Sequence, residues 1–169
     1  MKRVTPKANS LPAAYFELTK PNITFLILMS TGMGYYLGVD GIDDWFKLFI
    51  TLIGSGFVSS GASALNHYAE RELDQRMNRT KSRPIPTGMI SPNHAMYFGI
   101  TITLLGLGIL FFLVNELTAF LAISTALLYL FVYTPLKKIT WLNTSIGAIP
   151  GSLPAMGGWV AATGTLDPE

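Results

Sequence analysis

Apolar residues dominate five stretches of the chain, and short polar stretches separate them. Each apolar stretch approaches the ~20 residues that an α-helix needs to cross a bilayer core of about 30 Å. The last of them is less apolar and is interrupted by Pro150 and Pro154. The pattern predicts an all-α membrane protein with about five spans: about Ile23 to Val39, Trp45 to Leu65, Ala95 to Val114, Leu117 to Tyr133 and Ile139 to Thr163.

Composition supports the membrane class. Of the 169 residues, 50% are hydrophobic and only 13% are charged, and the mean hydropathy is +0.41. Soluble domains carry roughly a quarter charged residues, about twice the fraction found here. A net charge of +2 is too small to indicate a nucleic-acid partner. The absence of cysteine excludes disulfides, thiolate catalysis and Cys-ligated metals.

The charges predict the orientation in the membrane. Lys and Arg prefer cytoplasmic loops. Of the 12 Lys and Arg residues, only Lys47 falls on the side opposite to the others. The spans therefore place the N-terminus in the cytoplasm, and residues 1–21 are interpreted as a cytoplasmic lead-in. In a bacterium this topology corresponds to a multi-pass protein of the inner membrane.

Much of the charge lies in one stretch, NHYAERELDQRMNRTKSRPIP, which follows the second span. Asn66, Glu70 and Asp74 stand at i, i+4 and i+8, so they share one face of a helix. Two carboxylates and an amide oxygen suit Mg²⁺, which completes its coordination shell with substrate phosphate oxygens and water. We name these three residues the acidic column.

Basic residues follow the column on the same predicted side of the membrane. Acids followed by bases suit a metal-bridged diphosphate, whose remaining charge Arg and Lys neutralise. The candidates are Arg79, Lys81, Arg83, Lys137 and Lys138. The alternative interpretation is a solvated loop whose charges merely set the topology.

Small residues lie on the helix below the column, namely Ser55, Ser59, Ala62 and Ser63. Such residues either allow a neighbouring helix to approach closely or leave room for a ligand. The sequence does not distinguish these two uses.

The order of residues in the charged stretch resembles the signature of the UbiA superfamily of intramembrane prenyltransferases. The resemblance rests on the pattern Asn66-x3-Glu70-x2-Leu73-Asp74-x2-Met77-x-Arg79-Thr80-x2-Arg83-x4-Gly88. One departure is Glu70, where Asp is commoner in the superfamily. Within it, the tracts DQRMNRTKSRPIPTG (74–88) and YTPLKKITWLNTSIGAIPGSLPAMGGWVAATG (133–164) are most similar to the protoheme IX farnesyltransferases.

The resemblance implies a UbiA-like transmembrane helical bundle and a Mg²⁺-dependent transfer of a farnesyl group. The donor would be farnesyl diphosphate, the acceptor a vinyl group of haem B, and the product haem O. Asn66, Glu70 and Asp74 would be the catalytic metal ligands, and the five bases would hold the diphosphate. Tyr68, Tyr129 and Tyr133 would be candidates to stabilise an allylic cation. A link to haem A synthase or terminal oxidase assembly is also implied.

Family members are larger bundles with two facing acidic motifs, whereas this sequence contains one. We therefore expect residues 22–169 to be the N-terminal part of a longer, truncated prenyltransferase domain that does not turn over by itself. Asp40, Asp43 and Asp44 are interpreted as an ordinary loop on the opposite side.

Two alternatives stay open from the sequence. One is a related enzyme that prenylates an aromatic or quinone precursor, and the other is a small non-catalytic transport or structural membrane protein. The transport alternative predicts charge within the spans, and four of the five spans have almost none.

Overall fold

The computed structural model describes residues 8–39, 44–136 and 143–167. Every regular element in these ranges is helical, which confirms the all-α prediction. The long helices follow the predicted apolar stretches. The elements are α1 (Leu11–Leu18), α2 (Pro21–Leu37), α3 (Trp45–Arg76), α4 (Pro92–Leu113), α5 (Glu116–Leu127), a π-helical segment (Leu128–Tyr133), α6 (Thr134–Leu136) and α7 (Asn143–Thr163).

Local sequence signals explain where four helices begin. A polar side chain precedes each one and accepts a hydrogen bond from a backbone N–H of the first turn, which satisfies a donor that the helix leaves unpaired. Asp44 caps α3 in this way by accepting from the Lys47 N–H at 2.8 Å. The caps of α1, α3, α4 and α5 are Ser10, Asp44, Ser91 and Asn115. Asp40 and Asp43 lie outside the described residues.

Three stretches are long and apolar enough to cross a membrane: Trp45–Arg76, Pro92–Leu113 and Glu116–Leu136. The other two predicted spans are helical, but they do not meet this criterion. Helix α2 has 17 residues, and α7 is diluted by glycine, serine and two internal prolines. The described residues thus confirm a membrane-embedded bundle, with three of the five predicted spans meeting the criterion.

Helices α3 and α4 pack along two pairs of glycines, which we name the α3–α4 seam: Gly61 with Gly99, and Gly54 with Gly106. A Cβ atom on Gly61 would lie 2.6 Å from the Gly99 carbonyl oxygen, and one on Gly106 would lie 2.7 Å from the Gly54 carbonyl oxygen. Real Cβ atoms essentially never approach other atoms so closely. Only glycine therefore permits this backbone-to-backbone contact.

Helices α2 and α7 cross through a third pair of glycines, Gly34 and Gly158. A Cβ atom on Gly34 would collide with the Ala155 carbonyl, and one on Gly158 would collide with the Thr31 carbonyl. This crossing holds α7 against α2, although α7 contains two prolines. Helices α3 and α7 also line one cavity together.

Candidate functional site

The acidic column lies on the buried face of α3. Asn66, Glu70 and Asp74 are 0%, 6% and 3% exposed, so the structure places all three on one inward-facing side of the helix. Helix α3 has 32 residues and is about 48 Å long at 1.5 Å per residue. It therefore exceeds the ~30 Å apolar layer, and the column stands near one end of the bundle.

Asp74 is neutralised by the loop that follows α3. The Arg83 Nη1 atom donates to both carboxylate oxygens of Asp74, at 2.9 and 2.8 Å. The buried Thr80 hydroxyl donates to the Asp74 backbone carbonyl at 3.1 Å. Burying a carboxylate is costly unless it is paired, and these contacts fold the loop back onto the column. An acid in the last turn of α3 and a base in the following loop, nine positions apart in sequence, thus meet directly.

Asn66 is held from two sides. Its amide nitrogen donates to the Thr134 hydroxyl at 3.0 Å, and its Oδ1 accepts from the Lys20 ammonium at 2.5 Å. The Lys20 ammonium also donates to the Tyr129 hydroxyl at 3.3 Å. The amide orientation is therefore set by two partners, Lys20 at the start of α2 and Thr134 in α6.

The π-helical segment presents two aromatic rings near the column. The rings of Tyr129 and Tyr133 stack with their centroids 5.8 Å apart and an interplanar angle of 17°. The Thr134 hydroxyl donates to the Tyr129 carbonyl at 2.8 Å, which ties the segment to Asn66. The segment interrupts the α-helical repeat, as π-helices often do at functional sites. Tyr68 is not part of this stacked pair, and the Arg71 guanidinium lies 4.5 Å from the centroid of its ring.

An apolar cavity of about 570 Å³ extends from this end of the bundle into its interior. Helix α3 contributes Ser55, Ser59, Ala62 and Ser63 to the wall, and the π-helical segment contributes Tyr129 and Tyr133. Helices α2, α5 and α7 contribute the rest of the lining. A Cβ atom on Gly147 would lie 2.9 Å from Tyr133 Cε2, so this glycine makes room for the ring. A volume of this size matches ligand pockets in general.

The remaining predicted bases have different positions. Exposed Arg79 lines a second pocket of about 620 Å³ together with Lys20 and Arg83. The Lys81 ammonium donates to Asn78 Oδ1 at 2.8 Å within the loop. Lys137 and Lys138 lie outside the described residues. The structure therefore brings Arg83 onto the column, places Arg79 in the second pocket with Arg83, and places Lys81 in the loop after α3.

The donor set at the column fits a hard divalent cation held in part by a substrate. Within the described ranges, no three His, Cys, Asp or Glu side chains are grouped as a complete metal site. Two carboxylates and one amide oxygen are nevertheless buried on one face. Mg²⁺ commonly takes one or two protein carboxylates and fills the rest of its shell with phosphate and water.

Sequence reasoning missed two residues that contact the column. From the sequence, Lys20 indicates only the topology, and Thr134 is only one residue of the tract 133–164. Lys20 directly precedes Pro21, the first residue of α2, so a base at the start of a span was the available signal. Thr134 had none, because its contact depends on the π-helical turn.

Three similar curated proteins are all protoheme IX farnesyltransferases. A protoheme IX farnesyltransferase of Solibacter usitatus is 44% identical over 92% of this chain and 56% of its own length. The corresponding protein of Koribacter versatilis is also 44% identical, over 95% and 53%. The human mitochondrial protoheme IX farnesyltransferase is 39% identical over 98% of this chain and 37% of its own length. The chain thus spans about half the length of its bacterial relatives.

A solved structure has the same helical arrangement. It comes from work on digeranylgeranylglyceryl phosphate synthase in membranes, and it matches 89% of this chain and 53% of its own chain with a TM-score of 0.79 and 25% identity. The model of the UbiA prenyltransferase family matches residues 27–169, a range that contains the whole acidic column. The chain belongs to the UbiA prenyltransferase family.

Proposed function

We propose that the protein carrying this chain transfers a farnesyl group from farnesyl diphosphate to a vinyl group of haem B and produces haem O. One arrangement carries the proposal: a buried acidic column, neutralised by Arg83, stands at the end of an apolar cavity. A prenyl diphosphate has the same two parts, an anionic head and an apolar tail. The names of the relatives supply haem as the acceptor.

The diphosphate head would lie over the acidic column. Asn66, Glu70 and Asp74 would hold Mg²⁺, which neutralises charge that develops on the departing diphosphate. Arg83, released from Asp74, would fork onto phosphate oxygens together with Arg79, and Lys81 would add a point charge. Lys137 and Lys138 are assigned to the same task from the sequence alone.

The farnesyl chain would fill the apolar cavity, with its first carbon close to the column. Small side chains on α3 leave space for the tail, and Tyr129 and Tyr133 lie at the polar end. Their stacked rings are suited to stabilise positive charge on the allylic carbon by cation–π attraction. The apolar lining of the cavity would limit the access of water to that carbon.

The reaction balances without a redox partner. The bond between C1 of the farnesyl group and the diphosphate oxygen breaks, and diphosphate takes the electron pair. The vinyl π electrons then form a new bond from the terminal vinyl carbon to C1. Water adds to the remaining vinyl carbon and loses a proton to the solvent. The products are haem O, with its hydroxyethylfarnesyl chain, and diphosphate.

The column and its bases would face the cytoplasm of a bacterial inner membrane, as the distribution of Lys and Arg predicts. Haem O is more apolar than haem B, so it suits a consumer that lies in the membrane. We therefore propose a functional link to haem A synthase or to terminal oxidase assembly.

The test uses the natural-length protein in nanodiscs with farnesyl diphosphate, Mg²⁺ and haem B. We expect a haem O peak in mass spectrometry that requires all three components. A parallel reaction with 4-hydroxybenzoate tests the aromatic-acceptor alternative. Prenylation of 4-hydroxybenzoate without haem O would overturn the assignment of the acceptor. If farnesyl diphosphate is not consumed with either acceptor, the enzymatic function itself is overturned.

A further inference from the structure

Lys20 has an unusual backbone conformation next to the candidate site. It caps the N-terminus of α2 with φ 47° and ψ 64°, in the left-handed region. In the described part of the chain it is the only residue other than glycine with a positive φ. A non-glycine residue in this region is strained and persists only where its surroundings hold it there. The strain therefore points to a specific use of this side chain.

The side chain reaches from the start of α2 to the acidic column. Its ammonium donates to Asn66 Oδ1 and to the Tyr129 hydroxyl, and it lies 6.0 Å from the centroid of the Tyr129 ring. The oxygen of Asn66 is the one atom through which an amide can ligate a hard cation. Lys20 thus places its positive charge where such a cation would bind.

The Lys20 ammonium can also turn toward a second pocket. Lys20 lines the second pocket, which also contains Arg79 and Arg83. A lysine side chain rotates freely about four carbon–carbon bonds, and its ammonium binds phosphate as a point charge. Turning away from Asn66 therefore brings the ammonium toward the same bases that are suited to hold a diphosphate.

We propose that Lys20 is an internal counter-cation: it occupies the Asn66 oxygen when no metal is bound, and it turns to phosphate oxygens when a divalent cation and diphosphate are bound. This inference rests on the proposed metal-diphosphate function. It makes Lys20 a positioning residue that couples the two ligands, because its charge opposes the metal alone and favours the metal together with diphosphate.

The test measures Mn²⁺ binding by electron paramagnetic resonance in the natural-length protein, with and without inorganic pyrophosphate. Lys20→Met removes the charge and keeps the length of the side chain. Lys20→Gly removes the side chain at a backbone geometry that glycine adopts freely, so this variant is expected to fold. Lys47→Met removes the same charge at the far end of α3 and serves as the control.

We expect both Lys20 variants to bind Mn²⁺ alone about tenfold more tightly than the wild type, because a nearby positive charge is gone. With pyrophosphate present, both should bind Mn²⁺ about tenfold more weakly, because a phosphate partner is lost. Lys47→Met should match the wild type in both conditions. A purely structural lysine would not produce opposite changes.

Weaker binding in both conditions, or no change in either, would overturn the inference and leave the metal-diphosphate function standing. If the wild type itself does not bind Mn²⁺ with pyrophosphate, the proposed function fails together with the inference. The two failures are therefore separated by the behaviour of the wild type.

Discussion

Small residues cover two sides of α3, and they meet different neighbours on each side. On the α3–α4 seam, Gly54 and Gly61 touch the backbone of α4. On the opposite side, Ser55, Ser59, Ala62 and Ser63 face the apolar cavity. Both groups are spaced at helical intervals and lie within the same stretch of sequence. The difference is that one group packs against a helix, whereas the other lines an open cavity.

Residue type follows this difference. The seam uses glycine at seven-residue intervals on both helices, a spacing of two helical turns, and it tolerates no Cβ. The cavity wall uses serine and alanine, whose short side chains set the shape of the space without filling it. Substitutions on the seam should therefore alter stability, whereas substitutions on the cavity side should alter activity.

The largest effect is expected at the column, at the end of the cavity side. Asp74→Asn keeps the shape of the side chain but removes a carboxylate and its ion pair with Arg83. We expect haem O formation by the natural-length protein to fall on the order of 10²- to 10³-fold, because charge stabilisation of the leaving group is lost. Glu72→Gln is the matched control, since the side chain of Glu72 is 78% exposed. Unchanged activity in Asp74→Asn would refute the metal assignment.

On the seam, Gly61→Ala should destabilise the protein by about 2–3 kcal/mol, as overpacking does in a dense interior. The new Cβ would meet backbone atoms of α4, including the Gly99 carbonyl oxygen, and these atoms cannot move aside easily. The measurement is the free energy of unfolding in mixed micelles. Gly108→Ala on α4 is the control, because a Cβ there meets nothing within 4 Å. Equal stability of the two variants would contradict a tight seam.

In the cavity, Ser55→Leu should raise KM for farnesyl diphosphate about tenfold, which corresponds to one or two methylenes of lost apolar contact. The larger side chain occupies space proposed for the prenyl tail, and shorter geranyl diphosphate should be affected less. Steady-state kinetics with both donors measures the shift. Ser60→Leu introduces the same side chain on the same helix outside the cavity lining. If Ser60→Leu has the same effect, the cavity is not the tail site.

The smallest effect is expected from Gly147→Ala on α7. Its Cβ would press on the ring of Tyr133 at 2.9 Å, and the displaced ring would stabilise positive charge less well. Cation–π contacts are worth about 0.5–2 kcal/mol, so we expect kcat to fall about threefold to tenfold with stability nearly unchanged. Gly151→Ala also lines the cavity, but its Cβ meets nothing within 4 Å. A fall of the same size in Gly151→Ala would argue against a role for the ring.

Much of the fold was predictable because its signals are local. Apolar stretches located the long helices, and the caps Ser91 and Asn115 show that two of their starts also have a local signal. The prediction that α2 and α7 are also spans stays a prediction, and the hydropathy pattern does not register the glycine crossing that packs these two helices together. That crossing joins residues more than 120 positions apart.

The candidate site was predictable in part. The i, i+4, i+8 spacing placed Asn66, Glu70 and Asp74 on one face, and the structure buries that face. The pairing of Arg83 with Asp74 required the loop to fold back through Thr80. Lys20 and Thr134 join Asn66 across 46 and 68 residues of sequence, and no local pattern encodes such contacts. The roles of Asn66, Glu70 and Asp74 as metal ligands and the choice of Mg²⁺ stay predictions.

The sequence by itself determined the membrane class, the positions of the helices and the family, because each depends on local periodicity or on a contiguous motif. Tertiary structure decided which small residues seal α3 against α4 and which leave a cavity. It also decided that Lys20, rather than a more conspicuous base of the charged loop, contacts Asn66. The physical reason is that close packing and charge pairing depend on distances between helices, which a one-dimensional pattern does not contain.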